Sequence, residues 1–265
     1  MEKLKAEKIC KTYRNGKEIN NVLKDIDITI KEGEFVSLLG PSGCGKTTML
    51  TIMAGFQGAD SGCIKVEDTV VTKPGPDRAF VFQGYALFPW KTVKDNILYP
   101  MKQQKVSKEQ QEEKLQALLK LSNLEGKENL YPHQLSGGMK QRTAVARALA
   151  CQPSVLLMDE PLGALDYQMR RKIQEDLERI FMEDKVTVVM VSHDIEEAVF
   201  MSDRVLLMST NQGEIVENLE IDLERPRRRE HKKYKEYIDH LTDLIQGADG
   251  EDKRKEDSQK PKLAV

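Results

Sequence analysis

Gly40-Pro41-Ser42-Gly43-Cys44-Gly45-Lys46-Thr47-Thr48 is the stretch that decides the fold. It matches G-x-x-x-x-G-K-[ST], with Gly40, Gly45, Lys46 and Thr47 at the fixed positions. The short apolar run Phe35–Leu39 precedes it, as expected of a strand buried on both faces. A helix is predicted from about Lys46 to Ala54. Strand, glycine-rich loop and helix in that order give the pattern its chemistry. Glycines let the backbone wrap closely, so several N–H groups can point at one anion. The helix N-terminus adds about half a positive charge. Lys46 is placed to reach the β- and γ-phosphates of a nucleotide, and the Thr47 hydroxyl offers the hard oxygen that Mg²⁺ requires.

Outward from this loop, Ile26, Ile28 and Ile30 alternate with Asp27 and Thr29, the pattern of a half-buried strand. Ala79–Phe82, Val155–Met158, Val186–Val191 and Val205–Met208 read as further buried strands. Helical segments separate several of them, which predicts an α/β core with a largely parallel sheet. Ser107–Leu121 reads as a helix with Ser107 and Gln110 in a capping box and Leu115, Leu118 and Leu119 on one face. The region from about Thr92 to Pro132 is expected to form a helical subdomain.

The 265 residues are 39% hydrophobic and 32% charged, with a formal net charge of -2. That balance suits a globular chain and argues against broad nucleic-acid binding, which needs a basic excess. No apolar stretch approaches the roughly 18–20 residues that span a bilayer, and the N-terminus lacks the apolar segment of a signal peptide. Cys10, Cys44, Cys63 and Cys151 are scattered without a C-x-x-C pair, which disfavours a metal or disulfide scaffold and fits a reducing compartment. Gly247–Lys262 is charged and nearly free of large apolar side chains, so 247–265 is expected to be a disordered tail.

A second acidic motif completes the nucleotide chemistry. Val155-Leu156-Leu157-Met158-Asp159-Glu160 is an apolar strand that ends in two carboxylates. Asp159 is suited to hold Mg²⁺ through water, and Glu160 to polarise the attacking water as general base.

Leu135-Ser136-Gly137-Gly138-Met139-Lys140-Gln141 then carries a specific likeness. It resembles the signature of ABC ATPases in an LSGGM variant. Ser136, Gly137 and Gly138 open a predicted helix, Met139–Cys151, so they form a second anion-binding terminus. The resemblance implies that this terminus clasps the ATP held by another copy. Other landmarks of the family follow in order. Gln83 resembles the glutamine that senses Mg²⁺ and the attacking water. Gly163-Ala164-Leu165-Asp166 resembles the loop that communicates across the dimer. His193 resembles the switch histidine at the γ-phosphate, and Tyr13 the aromatic residue that stacks on adenine.

The resemblance spans residues 3 to 230. It implies a P-loop, RecA-like α/β core with an antiparallel β-subdomain and an inserted α-helical subdomain at about 92–150. A C-terminal helical extension at 231–246 follows. It also implies ATP and Mg²⁺ as cofactors, ATP hydrolysis, a head-to-tail dimer, a transmembrane permease as partner, a solute-binding protein acting indirectly, and a place on the cytoplasmic face of the membrane.

Leu87-Phe88-Pro89-Trp90-Lys91-Thr92-Val93 resembles the importer ATPases of the nitrate/sulfonate/taurine group, as do Pro132-His133-Gln134 and Arg225-Pro226-Arg227. In that group the segment after Gln83 receives the permease, and an aromatic-rich surface suits such an anchor; core packing is the alternative reading of Phe88 and Trp90. The basic cluster Arg225–Arg229 with Lys232 and Lys233 reads as a solvated face or a contact with anionic lipid. Cys44, inside the phosphate loop, reads as a thiol made reactive by N–H dipoles. The competing functions are a soluble ABC ATPase on a ribosome or DNA-repair complex, a GTPase switch, for which no N-K-x-D motif is present, and a regulatory module without hydrolysis.

Overall fold

β3 (Phe35–Leu39) is buried along its whole length. Its alternate side chains serve two different cores, because successive residues of a strand point to opposite faces. Val36 and Leu38 enter one buried cluster, and Phe35 and Leu39 the other. The computed structural model describes residues 1–16, 18–163, 166–184, 186–211 and 213–259.

Two long N-terminal strands, β1 (Glu2–Asn15) and β2 (Glu18–Lys31), precede β3. The phosphate loop follows β3 and leads into α1 (Lys46–Ala54). Next come β4 (Ser61–Val66), β5 (Thr69–Val70) and β6 (Arg78–Val81). The helical stretch holds α2 (Val93–Gln103), α3 (Lys108–Leu121), a 3₁₀ turn at Pro132–Gln134 and α4 (Gly137–Leu149). Then follow β7 (Val155–Asp159), α5 (Tyr167–Asp184), β8 (Thr187–Ser192) and α6 (Ile195–Met201). The chain closes with β9 (Arg204–Met208), β10 (Ile215–Glu220) and α7 (Lys232–Gln259).

The central sheet has the order β10-β9-β3-β8-β7-β6. Its strands β9, β3, β8, β7 and β6 are parallel, and β10 alone runs antiparallel at the edge. A separate antiparallel sheet of order β2-β1-β4-β5 covers one side. The cluster under it joins Leu4, Ile9, Ile28 and Ile30 to Met49, Leu50 and Met53 of α1 and to Val155, Leu157, Val189 and Val191. On the other face, Leu156, Met158, Val188 and Met190 pack with Ile97, Leu115, Leu118, Leu119, Val145 and Ile173 of the helices. The α/β architecture expected from the sequence is thus observed, and helices α2 to α4 share one continuous apolar core with the sheet.

Local signals hold at residue level. Ser107 Oγ accepts from Gln110 N at 3.3 Å and caps α3, whose Leu115, Leu118 and Leu119 are buried. Among the described residues no helix is long and apolar enough to cross a membrane.

Two expectations change. The segment from Gly247, read as a disordered tail, continues α7 to Gln259. A run rich in Glu, Lys, Asp and Arg needs no apolar partner to extend a helix that is already anchored. The anchor is Tyr234 and Leu241, both buried, with Ile238 and Ile245 beside them at helical spacing. Residues 260–265 lie outside the described residues. The second change concerns the basic cluster: Arg228, Lys232 and Lys233 are exposed as a solvated face would have them, but Arg225, Arg227 and Arg229 turn inward. Arg225 Nη2 donates to Met201 O at 2.6 Å, Arg227 Nη1 donates to Val199 O, and the Arg229 guanidinium lies 3.7 Å from the Phe200 ring centroid. Arg225 and Arg227 therefore satisfy carbonyls at the end of α6, where positive charge is favoured, while Arg229 stacks on Phe200 and donates to Glu175 and Gln174 of α5.

Candidate active site

The phosphate loop connects β3 to α1, and its glycines are required by close approach. A Cβ on Gly40 would sit 2.4 Å from Met208 O, and one on Gly45 would sit 2.9 Å from Val22 O. Gly45 caps α1 with φ +99° and no side-chain hydrogen bond, so the first N–H groups of α1 stay available to an anion. Lys46 is buried, and its ammonium donates to Gly40 O and Pro41 O at 2.7 Å each. Ser42 and Gly43 are exposed at the loop tip. Thr48 lies inside α1, its carbonyl accepting from Thr51 Oγ1 at 2.9 Å. Cys44 is 1% exposed and belongs to the apolar cluster beneath the loop. This corrects the reading of Cys44 as a reactive thiol, since thiolate chemistry needs access.

The remaining polar groups stand at the C-terminal ends of adjacent parallel strands, where open α/β sheets bind ligands. Thr47 Oγ1 donates to Asp159 Oδ1 at 3.0 Å, closing the loop onto the end of β7. Burial raises the Asp159 pKa; the Thr47 hydrogen bond and Lys46 oppose that shift, and Glu160 reinforces it. Glu160 sits at φ +42°, a conformation rare for a residue with a side chain, and its N–H donates to Val191 O at 3.1 Å. Its carboxylate has two neighbours. Gln83 Nε2, beyond β6, donates to Oε2 at 3.2 Å, and His193 Nδ1, beyond β8, lies 3.3 Å from Oε1. Gln83, Glu160 and His193 are therefore one cluster spanning three neighbouring strands. The Thr47 hydroxyl and the half-buried Asp159 carboxylate are oxygen donors of the kind a hard divalent cation takes, and the Gln83 side chain reaches the adjacent Glu160.

The other candidates lie apart. Ser136 caps α4, its Oγ accepting from Met139 N at 3.3 Å, so the helix starts two residues earlier than the sequence suggests. Gly137 opens the helix, and a Cβ on Gly138 would meet Ile173 Cδ1 at 2.9 Å. No hydrogen bond or ion pair joins Ser136, Gly137 or Gly138 to the phosphate loop among the described residues. Asp166 accepts from Met169 N at 3.0 Å in the first turn of α5. Gly163 borders Glu160, whereas Ala164 and Leu165 of that loop lie outside the described residues. Tyr13 is 43% exposed on β1, and its hydroxyl donates to Gln57 Oε1 at 2.7 Å.

Sequence reasoning missed the groups that shape the loop after Gln83. Arg147 of α4 donates to Ala86 O at 2.7 Å and Tyr85 O at 3.0 Å, with its guanidinium 5.6 Å from the Phe88 ring centroid. Asn96, fully buried, accepts from Phe88 N at 2.9 Å and donates to Lys91 O and Thr92 O. Phe88 is half-buried against Tyr99, while Trp90 is 70% exposed. The two aromatic residues thus divide between packing and surface. Arg147 and Asn96 gave no signal, because each is an ordinary polar residue in a helix until the fold brings the loop to it.

Residues 23–163 match the ABC transporter family. The uncharacterized ABC transporter ATP-binding protein MJ0412 of Methanocaldococcus jannaschii is 42% identical over 244 residues, which is 92% of this chain and 91% of that protein. The nitrate import ATP-binding protein NrtD of Synechocystis sp. is 42% identical over 239 residues, 87% of this chain and 90% of that protein. Among solved structures, the dimeric post-hydrolysis state of the ATP-binding cassette MJ0796 bound to ADP and Pi is similar at a TM-score of 0.71 and 35% identity. That similarity covers 82% of this chain and 98% of that one.

Proposed function

The chain belongs to the ABC transporter family and is an ATP hydrolase, and from that premise we propose that it drives solute uptake through a separate transmembrane permease. The observation that carries this reading is the 3.2 Å hydrogen bond from Gln83 to Glu160. It joins the carboxylate suited to hydrolysis to the segment that presents Trp90 outward. A permease seated on that segment would act directly on the general base.

In this reading the phosphate loop, Gly40 to Thr48, holds the β- and γ-phosphates. Free N–H groups, the α1 terminus and Lys46 supply the positive potential. Tyr13 offers its ring to adenine. Thr47 and Asp159, with Gln83, would hold Mg²⁺, which when bound neutralises phosphate charge. Glu160 takes a proton from water as the water oxygen attacks the γ-phosphorus. The bond to the bridging oxygen breaks, leaving ADP and phosphate. His193, beside Glu160, orients the reacting group. Ser136, Gly137 and Gly138 of a second copy, arranged head to tail, cover the same phosphates, and Asp166 lies at that interface. Such an arrangement accounts for a signature helix that stands apart from the phosphate loop within one chain. The fold divides as 3–230 for the ATPase, with the helical subdomain at about 92–150, and 231–246 for the helical extension.

The likeness to a nitrate import protein supports the nitrate/sulfonate/taurine group. The solute is then nitrate, a sulfonate, taurine or a related small solute, delivered by a solute-binding protein that meets the permease. The chain would sit on the cytoplasmic face of the membrane, without nucleic acid. The test is a pull-down from detergent-solubilised membranes of the source cell, with tagged Glu160→Gln protein as bait, with and without MgATP. A multi-spanning permease among the captured proteins supports the reading. Ribosomal or DNA-repair proteins with no membrane protein would overturn it.

A further inference from the structure

His193 is held in place by its neighbours in the chain more than by its own side chain. The ring is half exposed, with Glu160 as its polar neighbour. The residues on either side of it, Ser192 and Asp194, are both tied to Glu197 in the first turn of α6. Glu197 N donates to Asp194 Oδ1 at 3.0 Å, and the Ser192 hydroxyl makes a short hydrogen bond with the Glu197 carboxyl. Ser192 Oγ also accepts from Asp194 N at 3.0 Å. Asp194 in turn accepts from Arg170 Nη1 of α5 at 2.7 Å.

We propose that Glu197, acting through Ser192, is a positioning residue that fixes the His193 loop against Glu160 during hydrolysis. This inference rests on the catalytic reading of His193 and Glu160.

The geometry supports a dedicated role. A carboxyl in the interior of a helix–sheet interface is costly unless paired, and an apolar residue would fill the space at less cost. Glu197 is only 4% exposed, and its Oε1 has no hydrogen-bond partner among the described residues. The carboxyl is thus retained where packing alone would not require it, on the one hydroxyl that adjoins His193. The charges acting on it are Asp194 at the N-cap of its own helix, Arg170 of α5 and Glu160 beyond β7. From α7, the Tyr234 hydroxyl donates to the neighbouring Glu196 carbonyl at 3.1 Å. Burial first, then Asp194 and Glu160, push the Glu197 pKa up to about 7 against the Ser192 hydrogen bond and Arg170. A neutral carboxyl can donate to Ser192 Oγ, freeing that hydroxyl to donate to Asp194 O, 3.3 Å away. Helix α6, which carries Glu197, is also held at its far end by Arg225 and Arg227.

The experiment measures MgATP hydrolysis and fluorescent-nucleotide binding by the full chain carrying Glu197→Gln, Glu197→Ala, Ser192→Ala or His193→Ala. Glu197→Ala and Ser192→Ala are expected to lower kcat by roughly tenfold to a hundredfold, with KM and nucleotide affinity within about twofold, as displaced catalytic groups do. Glu197→Gln, which keeps the shape and a hydrogen bond, is expected to restore kcat to within about threefold of the parent. Parental kcat in folded Ser192→Ala overturns the proposal, even if Glu197→Ala does not fold. So does a loss in Glu197→Ala that Glu197→Gln fails to rescue. Parental kcat in His193→Ala would instead remove the catalytic reading of His193, and the proposal with it.

Discussion

His193 Nδ1 lies 3.3 Å from Glu160 Oε1, although the two residues leave different strands of the sheet. β7 and β8 are parallel neighbours with Asp159 opposite Val191, so both chain exits fall at one edge. Removing the charge of Glu160 by Glu160→Gln should therefore lower ATP turnover by about 10²–10⁴-fold, the range for a general base. ATP affinity should be retained, and MgATP should shift the variant toward a dimer in light scattering. Turnover within about tenfold of the parent would remove Glu160 from that role.

Two glycines should differ in what alanine costs. At Gly45 the added Cβ meets the backbone of Val22 at φ +99°, and backbone cannot yield. At Gly138 it meets the far ends of Ile173 and Met169, which can rotate. Gly45→Ala is expected to destabilise by about 2–3 kcal/mol and Gly138→Ala by about 1 kcal/mol. Thermal melts of the two variants give the order directly; an inverted order would contradict that packing.

Glu197 makes stability depend on pH in one direction. Its pKa rises from 4.5 to about 7 on folding, so between those values the native state binds a proton that the unfolded state has released. Stability is then full below pH 4.5 and falls as pH rises toward 7, by about 3 kcal/mol. Glu197→Gln should match the parent near pH 4.5 and exceed its Tm increasingly up to pH 7, with a constant gain above. A Tm difference independent of pH would contradict this.

Trp90, 70% exposed beside the half-buried Phe88, is expected to anchor the permease. Trp90→Ala should weaken capture of the permease by about 2 kcal/mol, roughly thirtyfold, as loss of an aromatic anchor does. Its ATPase activity without membranes should be unchanged. Capture equal to that of the parent would place the contact elsewhere.

Cys44, 1% exposed beneath the phosphate loop, should resist iodoacetamide in the native protein while the partly exposed Cys10 and Cys63 react. Mass spectrometry of alkylated peptides distinguishes them. Rapid labelling at Cys44 would mean that the loop opens in solution.

Chemistry that is contiguous in the chain is legible in the order of its residues. The phosphate loop, the Asp159-Glu160 strand end and the Ser107 cap each lie within a few residues, where backbone geometry and side-chain type set the outcome. The strand–loop–helix order around Lys46, with apolar runs separated by helices, also implies a mostly parallel sheet. By itself, then, the sequence determined the α/β class, and it singled out the glycine-rich loop and the two carboxylates proposed to serve ATP. Tertiary structure alone decided that Gln83, Glu160 and His193 meet, that Arg225 and Arg227 cap α6 and Arg229 stacks on Phe200 instead of facing solvent, and that Arg147 and Asn96 hold the loop bearing Trp90. The physical reason is distance along the chain: these contacts join elements that the sequence holds apart. No local pattern encodes which strand ends become neighbours until the order β3-β8-β7-β6 is set by packing on both faces of the sheet.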